Sequence, residues 1–425
     1  MNSKLKSIAI IGGGPSGCAL AILLKRKGHK VAVFYIDKRP DIIVGESLVP
    51  AVIPMLKELG VEDEVKSYST FKPGASVWLS KDEETTSPFS AGQGKIDPYA
   101  YNVPRVKFDK TLFNKAKSEG VTFFEHVAKI EKTGKDDELK LADETIKFCG
   151  DFFNGQPDWL VDCTGRTRAF ARLLGLSEKT GKRKDVALFA HLSGAEKIDP
   201  CNIHLHRLHK GWSWRIPLVD RTSVGIVINP VHLPEYGKNI EEQYDNYLKA
   251  DDTLSRLTAN AKRETAVVKY SNYQLISDRF YGKNWVLTGD AGGFLDPIFS
   301  TGLFLALKGA FRLAKTFNEQ GISEESLSRY QKEQKWELQV WQRVIDTWYS
   351  GRLFTLFRVG QDRLHTPFGK FIAPHMVKYL TRIFTGEAVY TRYSRYFLRF
   401  VTGSLIDLMR LGRLHNRDVR DLQIN

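Results

Sequence analysis

The sequence predicts an α/β protein: a doubly wound sheet interrupted by an inserted antiparallel sheet and followed by a helical C-terminal region. Three observations carry that expectation. Residues 8–34 read as strand, glycine turn, helix and strand; a second glycine-rich strand-to-helix passage occupies residues 285–302; and a run of strands at 186–228 lies between them. At 425 residues the chain is long enough for two or three structural units around a sizeable core. Its apolar content of 42% and charged content of 26% exclude a disordered chain. The four cysteines, Cys18, Cys149, Cys163 and Cys201, are too few for a disulfide scaffold and lack metal-ligand spacing, which points to a reducing cytoplasm.

The elements follow in order. Residues 7–24 are uncharged and follow Lys4 and Lys6, as in a secretory signal, but the run Gly12-Gly13-Gly14-Pro15-Ser16-Gly17 breaks the apolar stretch at its centre. The expected reading is therefore no signal peptide. Residues 8–11 form a strand, 18–27 a helix ended by Gly28, and 31–34 a second strand. In this Rossmann-like unit Gly12 permits the tight turn, Gly14 admits a pyrophosphate and Gly17 lets helix and strand pack closely, with Ser16 at the helix start. Asp37, 20 residues after Gly17, is the candidate ribose ligand, although Tyr35 ends the strand where an acid is usual.

Residues 76–160 alternate short strands and polar turns, apart from a helix at 108–118. A strand at 159–163 ends in Asp162-x-x-Gly165-Arg166, and Asp220-Arg221 turns a hairpin between strands 212–218 and 223–228. A helical stretch covers 240–259, an apolar strand 285–287, and a long helix starts near Gly302. Lys308 breaks the only candidate for a membrane span, so the chain is expected to be soluble or peripheral.

The formal charge of +14 is uneven. Residues 351–425 hold 13 Lys plus Arg against 5 Asp plus Glu, together with 11 Phe and Tyr. Such a region is either a layer that buries its aromatics and solvates its arginines, or a surface that meets an acidic carrier protein or, peripherally, an anionic membrane. No nucleic-acid-binding module is visible.

The second glycine passage runs Gly289-Asp290-Ala291-Gly292-Gly293-Phe294-Leu295-Asp296-Pro297-Ile298-Phe299-Ser300-Thr301-Gly302. An acid there can accept from a ribityl hydroxyl, and the helix that follows can aim its positive end at a flavin ring. With the first motif this reads as FAD, and the segment resembles flavoproteins of the glutathione reductase and aromatic hydroxylase type, as does Val161-Asp162-Cys163-Thr164-Gly165-Arg166. The expected division is an FAD-binding domain from residues 1–75, 100–185 and 275–330, a substrate-binding sheet domain from 76–99 and 186–274, and a helical region at 331–425.

A narrower resemblance rests on Trp212-Ser213-Trp214-Arg215-Ile216-Pro217, on Gly45-Glu46-Ser47-Leu48-Val49-Pro50 and on Phe71-Lys72-Pro73-Gly74, which are similar to segments of the flavin-dependent halogenases. It implies that FADH2 from a separate flavin reductase reacts with oxygen to a C4a-hydroperoxide, which oxidises chloride or bromide to hypohalous acid. It also implies halide binding at Thr301 and Gly302, flavin contacts at Glu46, Ser47, Arg105, Asp290 and Pro297, and a catalytic Lys72. Trp212, Trp214, Ile216 and Pro217 would separate substrate from flavin. Tryptophan-directed members carry a glutamate two residues before the Thr-Gly pair, where this chain has Phe299. Phenol- and pyrrole-directed members resemble it more closely, which implies an electron-rich aromatic substrate, free or tethered to an acyl or peptidyl carrier protein. An FAD monooxygenase, an isoprenoid-type reductase and a non-catalytic flavin-fold module are the competing readings. His204, His206 and His209 lack acidic or cysteine partners at metal spacing, so no metal is expected, and a histidine near the substrate is a better reading than a metal ligand.

Overall fold

The computed structural model of the chain describes residues 5–37, 40–80, 82–134, 137–196, 202–208, 210–271, 274–363, 366–387, 391–404 and 424. Cys201 and His209 lie outside them. Five strands form a parallel sheet in the order Trp285–Leu287, Trp159–Asp162, Ser7–Ile11, Lys30–Tyr35 and Thr122–Glu125. Its central strand is uninterruptedly apolar at Ile8-Ala9-Ile10-Ile11 because helices cover both faces of such a sheet. Helix Pro15–Lys25 packs against helices Arg105–Ser118 and Thr301–Lys315. Three distant parts of the chain thus build one sheet, as the motif spacing required.

The second sheet has the order Lys262–Arg263, Val186–Ser193, Thr222–Ile228, Gly211–Pro217, Ile203–Leu208, Gly74–Ser80 and Glu83–Pro88, with Val268–Ser271 also on Val186–Ser193. The expected hairpin is present, with Trp214 opposite Gly225. A Cβ at Gly225 would stand 2.2 Å from the Trp214 ring, so glycine is what lets this indole lie across the neighbouring strand. The expectation of a wholly antiparallel sheet needs one correction. Ile203–Leu208 runs parallel to Gly74–Ser80, since the latter arrives from a segment more than 120 residues earlier and not through a hairpin.

Sequence periodicity misses the short helices Ile53–Leu59, Glu62–Ser67 and Asp143–Cys149. The expected helix at 240–259 is two, Ile240–Ala250 and Asp252–Leu257, because the Asp251 carboxylate accepts from the Thr253 and Leu254 N–H groups and restarts the helix. The C-terminal region contributes helices Glu324–Tyr349, Arg352–Arg363, Pro367–Phe384 and Arg392–Arg399. Its aromatics divide: Trp341, Trp348, Phe354 and Phe397 are buried, whereas Phe371, Tyr393, Tyr396 and Phe400 are exposed. Among the described residues no helix is long and apolar enough to cross a membrane.

Candidate active site

Two cavities meet at the junction of the sheets. The first, of about 690 Å³, is a cleft lined by the Gly12–Ser16 turn, Glu46, Ser47, Arg105, Asp290 and Pro297, with Trp212, Trp214 and Ile216 on its far side. Backbone geometry explains its glycines. Gly12 has φ of 120°, and a Cβ at Gly17 would stand 2.0 Å from the Gly12 carbonyl oxygen. A Cβ at Gly14 or Gly302 would meet no protein atom within 4 Å, although both residues line the cleft. These glycines leave space for a ligand and not for protein packing. The N-terminus of helix Pro15–Lys25 opens on the same space with no side-chain cap, which suits a phosphate. These residues fit a dinucleotide such as FAD.

The acid of the second motif, Asp290, is pushed up to about 6 by desolvation, against the pull of Arg105 and Arg166. Arg105 pairs with Asp109 at 3.2 Å and donates to the Val44 carbonyl while facing the cleft. Glu46 is buried, with Oε1 2.7 Å from His191 Nε2. Gly289 (φ 60°) packs on Ser16, and the Thr301 side chain is buried behind the cleft. Ser300 (φ 57°) turns the chain into helix Thr301–Lys315, so the backbone N–H groups of Thr301 and Gly302 stand in its first turn. Asp37 is not brought to the site: it is exposed, two residues beyond the strand end, and does not line the cleft.

The second cavity, of about 930 Å³, lies beside the first and shares Ile203, Leu205, Ile298 and Ser300 with it. Lys72 lines it, 2% exposed. The strand pair Thr70–Lys72 and Ala100–Asn102 holds this lysine against the loop at 45–49, where its Nζ donates to Ser47 Oγ and to the Leu48 carbonyl, both at 2.8 Å. Ser47 in turn donates to Asn102 Oδ1 at 2.8 Å. The Phe89 ring centre is 5.4 Å from Nζ. Burial lowers the Lys72 amine to about 7, so both protonation states are populated near neutrality. Ser47 lines the cleft and bonds the lysine of the chamber, and so links the two cavities.

Trp212 and Trp214 share one strand face, as their spacing of two requires, with ring centres 5.7 Å apart. The Trp212 indole N–H donates to the Tyr349 hydroxyl at 2.8 Å, and that hydroxyl donates to Asp296 Oδ2 at 2.7 Å. Asp296 also caps the Pro297–Phe299 turn through the Ile298 N–H. Sequence reasoning misses Tyr349, because it sits on a C-terminal helix 137 residues from Trp212. Pro217 ends the Trp strand without lining the cleft. Phe299 faces the chamber, packed among Trp341, Trp348 and Phe384.

The histidine expectation fails on strand alternation. Ile203 and Leu205 face the chamber, so His204 and His206 point to the other side of the sheet, where Arg215 Nε donates to His206 and Trp78 to His204. Desolvation and Arg215 hold the His206 imidazole well below its ordinary range. Among the described residues no three His, Cys, Asp or Glu side chains converge as metal ligands.

A dinucleotide cleft on a parallel sheet, with the tryptophan-bearing strand in its wall and a second chamber adjoining it across Ile203, Leu205, Ile298 and Ser300, is the arrangement of an FAD-binding α/β fold. The tryptophan halogenase family profile matches residues 7–98 and 94–357, and the chain belongs to that family. It is 32% identical over 337 residues to a flavin-dependent halogenase of Armillaria mellea, covering 73% of this chain and 66% of that one, so it spans just under two thirds of that relative. It is 27% identical to the 1H-pyrrole-2-carbonyl-[peptidyl-carrier protein] chlorinase of Pseudomonas fluorescens, covering 82% of this chain and 85% of the other. Among solved structures, a flavoprotein/dehydrogenase from Cytophaga hutchinsonii superposes with a TM-score of 0.79 at 25% identity, covering 96% of this chain and all of that one.

Proposed function

We propose that the protein is an FADH2- and O2-dependent halogenase that installs chloride or bromide on an electron-rich phenolic or pyrrolic substrate, free or tethered to a carrier protein. The observation that carries this reading is the placement of Lys72, buried in the lining of the chamber and bonded to Ser47 of the cleft wall. FAD, reduced by a separate flavin reductase, supplies with O2 the oxidation that turns halide into hypohalous acid. Gly12, Gly14, Ser16, Gly17, Glu46, Ser47, Arg105, Gly289, Asp290, Pro297 and Gly302 would hold it, with the N–H groups of Thr301 and Gly302 receiving the halide. Asp37 enters this set on sequence spacing alone.

Two of the Lys72 donors are engaged by Ser47 and Leu48. As an ammonium it has a third, which donates to the oxygen of hypohalous acid and leaves the halogen directed at the ring. Trp212, Trp214 and Ile216 line the cleft, and in this reading they would keep the substrate ring from direct oxygen transfer. Phe299 offers no carboxylate to stabilise a ring cation, so the substrate must supply that stabilisation through its own oxygen or nitrogen. The test combines the protein with FAD, a flavin reductase, NADH, O2, bromide or chloride, and a panel of phenols and carrier-bound pyrroles. Halogen isotope patterns in the products, lost in Lys72→Ala, are the expected result. Hydroxylated products without halogen, unchanged in Lys72→Ala, would overturn the reading in favour of a monooxygenase.

A further inference from the structure

The chamber beyond Lys72 is far larger than the ring it is expected to hold. An apolar cavity of roughly 150 Å³ accepts benzene, whereas this one measures about 930 Å³. Its walls are apolar on most sides, with Val77 and Leu205 from the sheet, Leu356 and Phe357 from one C-terminal helix and Met376 and Leu380 from the next, while Glu84, Thr85, Thr86 and Ser87 of the edge strand form a polar side. Among its described lining residues only Lys72 and Glu84 are ionisable, and Glu84 is exposed on the edge strand Glu83–Pro88. The lining residues Val377 and Phe400 are half exposed, so the apolar surface reaches solvent beside them. Away from Lys72 and the exposed Glu84, a zwitterionic amino acid would bury charge against apolar side chains with no described ionic partner.

We infer that the substrate is an amphiphile: a phenol or pyrrole whose ring sits at Lys72 and whose extended, uncharged apolar tail fills the chamber toward Val377 and Phe400. This rests on the reading of Lys72 as the reactive end, while the claim about the tail concerns binding and is separable from turnover. Each methylene taken from water into such walls is worth about 0.8 kcal/mol, or roughly fourfold in affinity. The affinity ladder ends where the tail emerges beside the half-exposed side chains.

The experiment uses 4-methyl-, 4-butyl-, 4-octyl- and 4-dodecylphenol with the full-length protein. Binding is measured by intrinsic tryptophan fluorescence without flavin or halide, and halogenation by mass spectrometry in the reconstituted system. The expected result is an affinity and a kcat/KM that rise about fourfold per methylene through the butyl and octyl members and then level off. Ala373→Trp, which fills the chamber from helix Pro367–Phe384, should invert the series and weaken 4-octylphenol at least tenfold, with circular dichroism confirming the fold. Binding that climbs with tail length while no phenol is halogenated supports the tail site and sinks the proposed chemistry. Halogenation or binding that is flat along the series overturns the inference and leaves the chemistry standing. A short aryl thioester on a carrier protein that outcompetes every tailed phenol would overturn it too.

Discussion

The two cavities are built by different rules. Two stretches of the cleft wall are local, Gly12 to Ser16 and Asp290 to Gly302, at strand-to-helix turns whose glycines answer to close backbone approach or open space, while residues from 34 to 270 supply most of the rest of the lining. The chamber is distributed, with walls from residues 49 to 400 that are ordinary apolar side chains on strand and helix faces. The cleft therefore writes its ligand into backbone constraints, while the chamber writes its ligand into volume. Selection for one cofactor can fix the first, and the second is free to change with substrate.

The largest expected effect isolates the chamber. Lys72→Met should abolish halogenated product by at least about a thousandfold, since it removes the positioned donor from the transition state, while flavin affinity stays within about twofold. The same variant should be more stable than the parent. The Lys72 amine is lowered from 10.5 to about 7 on folding, so below pH 7 both folded and unfolded states carry the proton and the full cost of the buried ammonium is present. Between pH 7 and 10.5 the unfolded state binds more protons, stability of the parent rises with pH, and the advantage of Lys72→Met shrinks from about 4 kcal/mol toward zero. Urea denaturation at pH 6, 8 and 10 measures this; an advantage that grows with pH contradicts the lowered amine.

Two glycine variants isolate the cleft. Gly17→Ala drives a methyl group to 2.0 Å from the Gly12 carbonyl and should lower the melting temperature by at least 5 °C, equivalent to several kcal/mol. Gly14→Ala meets no protein atom, so its melting temperature should hold while FAD affinity falls about tenfold or more. Equal effects of the two on stability would mean that Gly14 is a packing glycine and that the open space beside it holds no ligand.

Tyr349→Phe tests the border between the cavities. It leaves the Trp212 N–H and the buried Asp296 carboxylate without their shared partner, at a cost of about 1–3 kcal/mol. If this link holds the indole against the cleft, the variant should also raise the share of hydroxylated over halogenated product. A stability loss with an unchanged product ratio would make the Tyr349 bond structural only.

How much of this was legible in the sequence follows the same division. Gly12, Gly14, Gly17 and Asp290 are legible because a turn that approaches a phosphate restricts residue type at fixed offsets. Trp212 and Trp214 are legible because period two fixes a shared face, and the same period turns His204 and His206 away from the chamber, since Ile203 and Leu205 take that side. Tyr349 and helix Pro367–Phe384 carry no such mark, since an apolar stripe that lines a cavity has the pattern of one that packs a core. Asp37 shows the limit of offset counting, because the strand ends at Tyr35 and the carboxylate falls outside the cleft.

The smallest expected effect concerns which form of Lys72 acts. With the amine near pH 7, the ammonium fraction falls about tenfold between pH 6 and pH 8. If Lys72 donates a proton-bearing bond to hypohalous acid, kcat for halogenation should fall by about that factor over the interval, with saturating halide and flavin. If instead the neutral amine attacks the halogen and passes it on as a haloamine, kcat should rise through the same midpoint. Asp290, pushed up to about 6, titrates nearby, but its loss of a proton would act on flavin binding and not on a saturated rate. Measuring kcat and flavin affinity together across pH 5.5 to 8.5 therefore separates the two cavities by their protons. A falling kcat at constant flavin affinity assigns the donor role to Lys72, and a rising one assigns it the role of nucleophile.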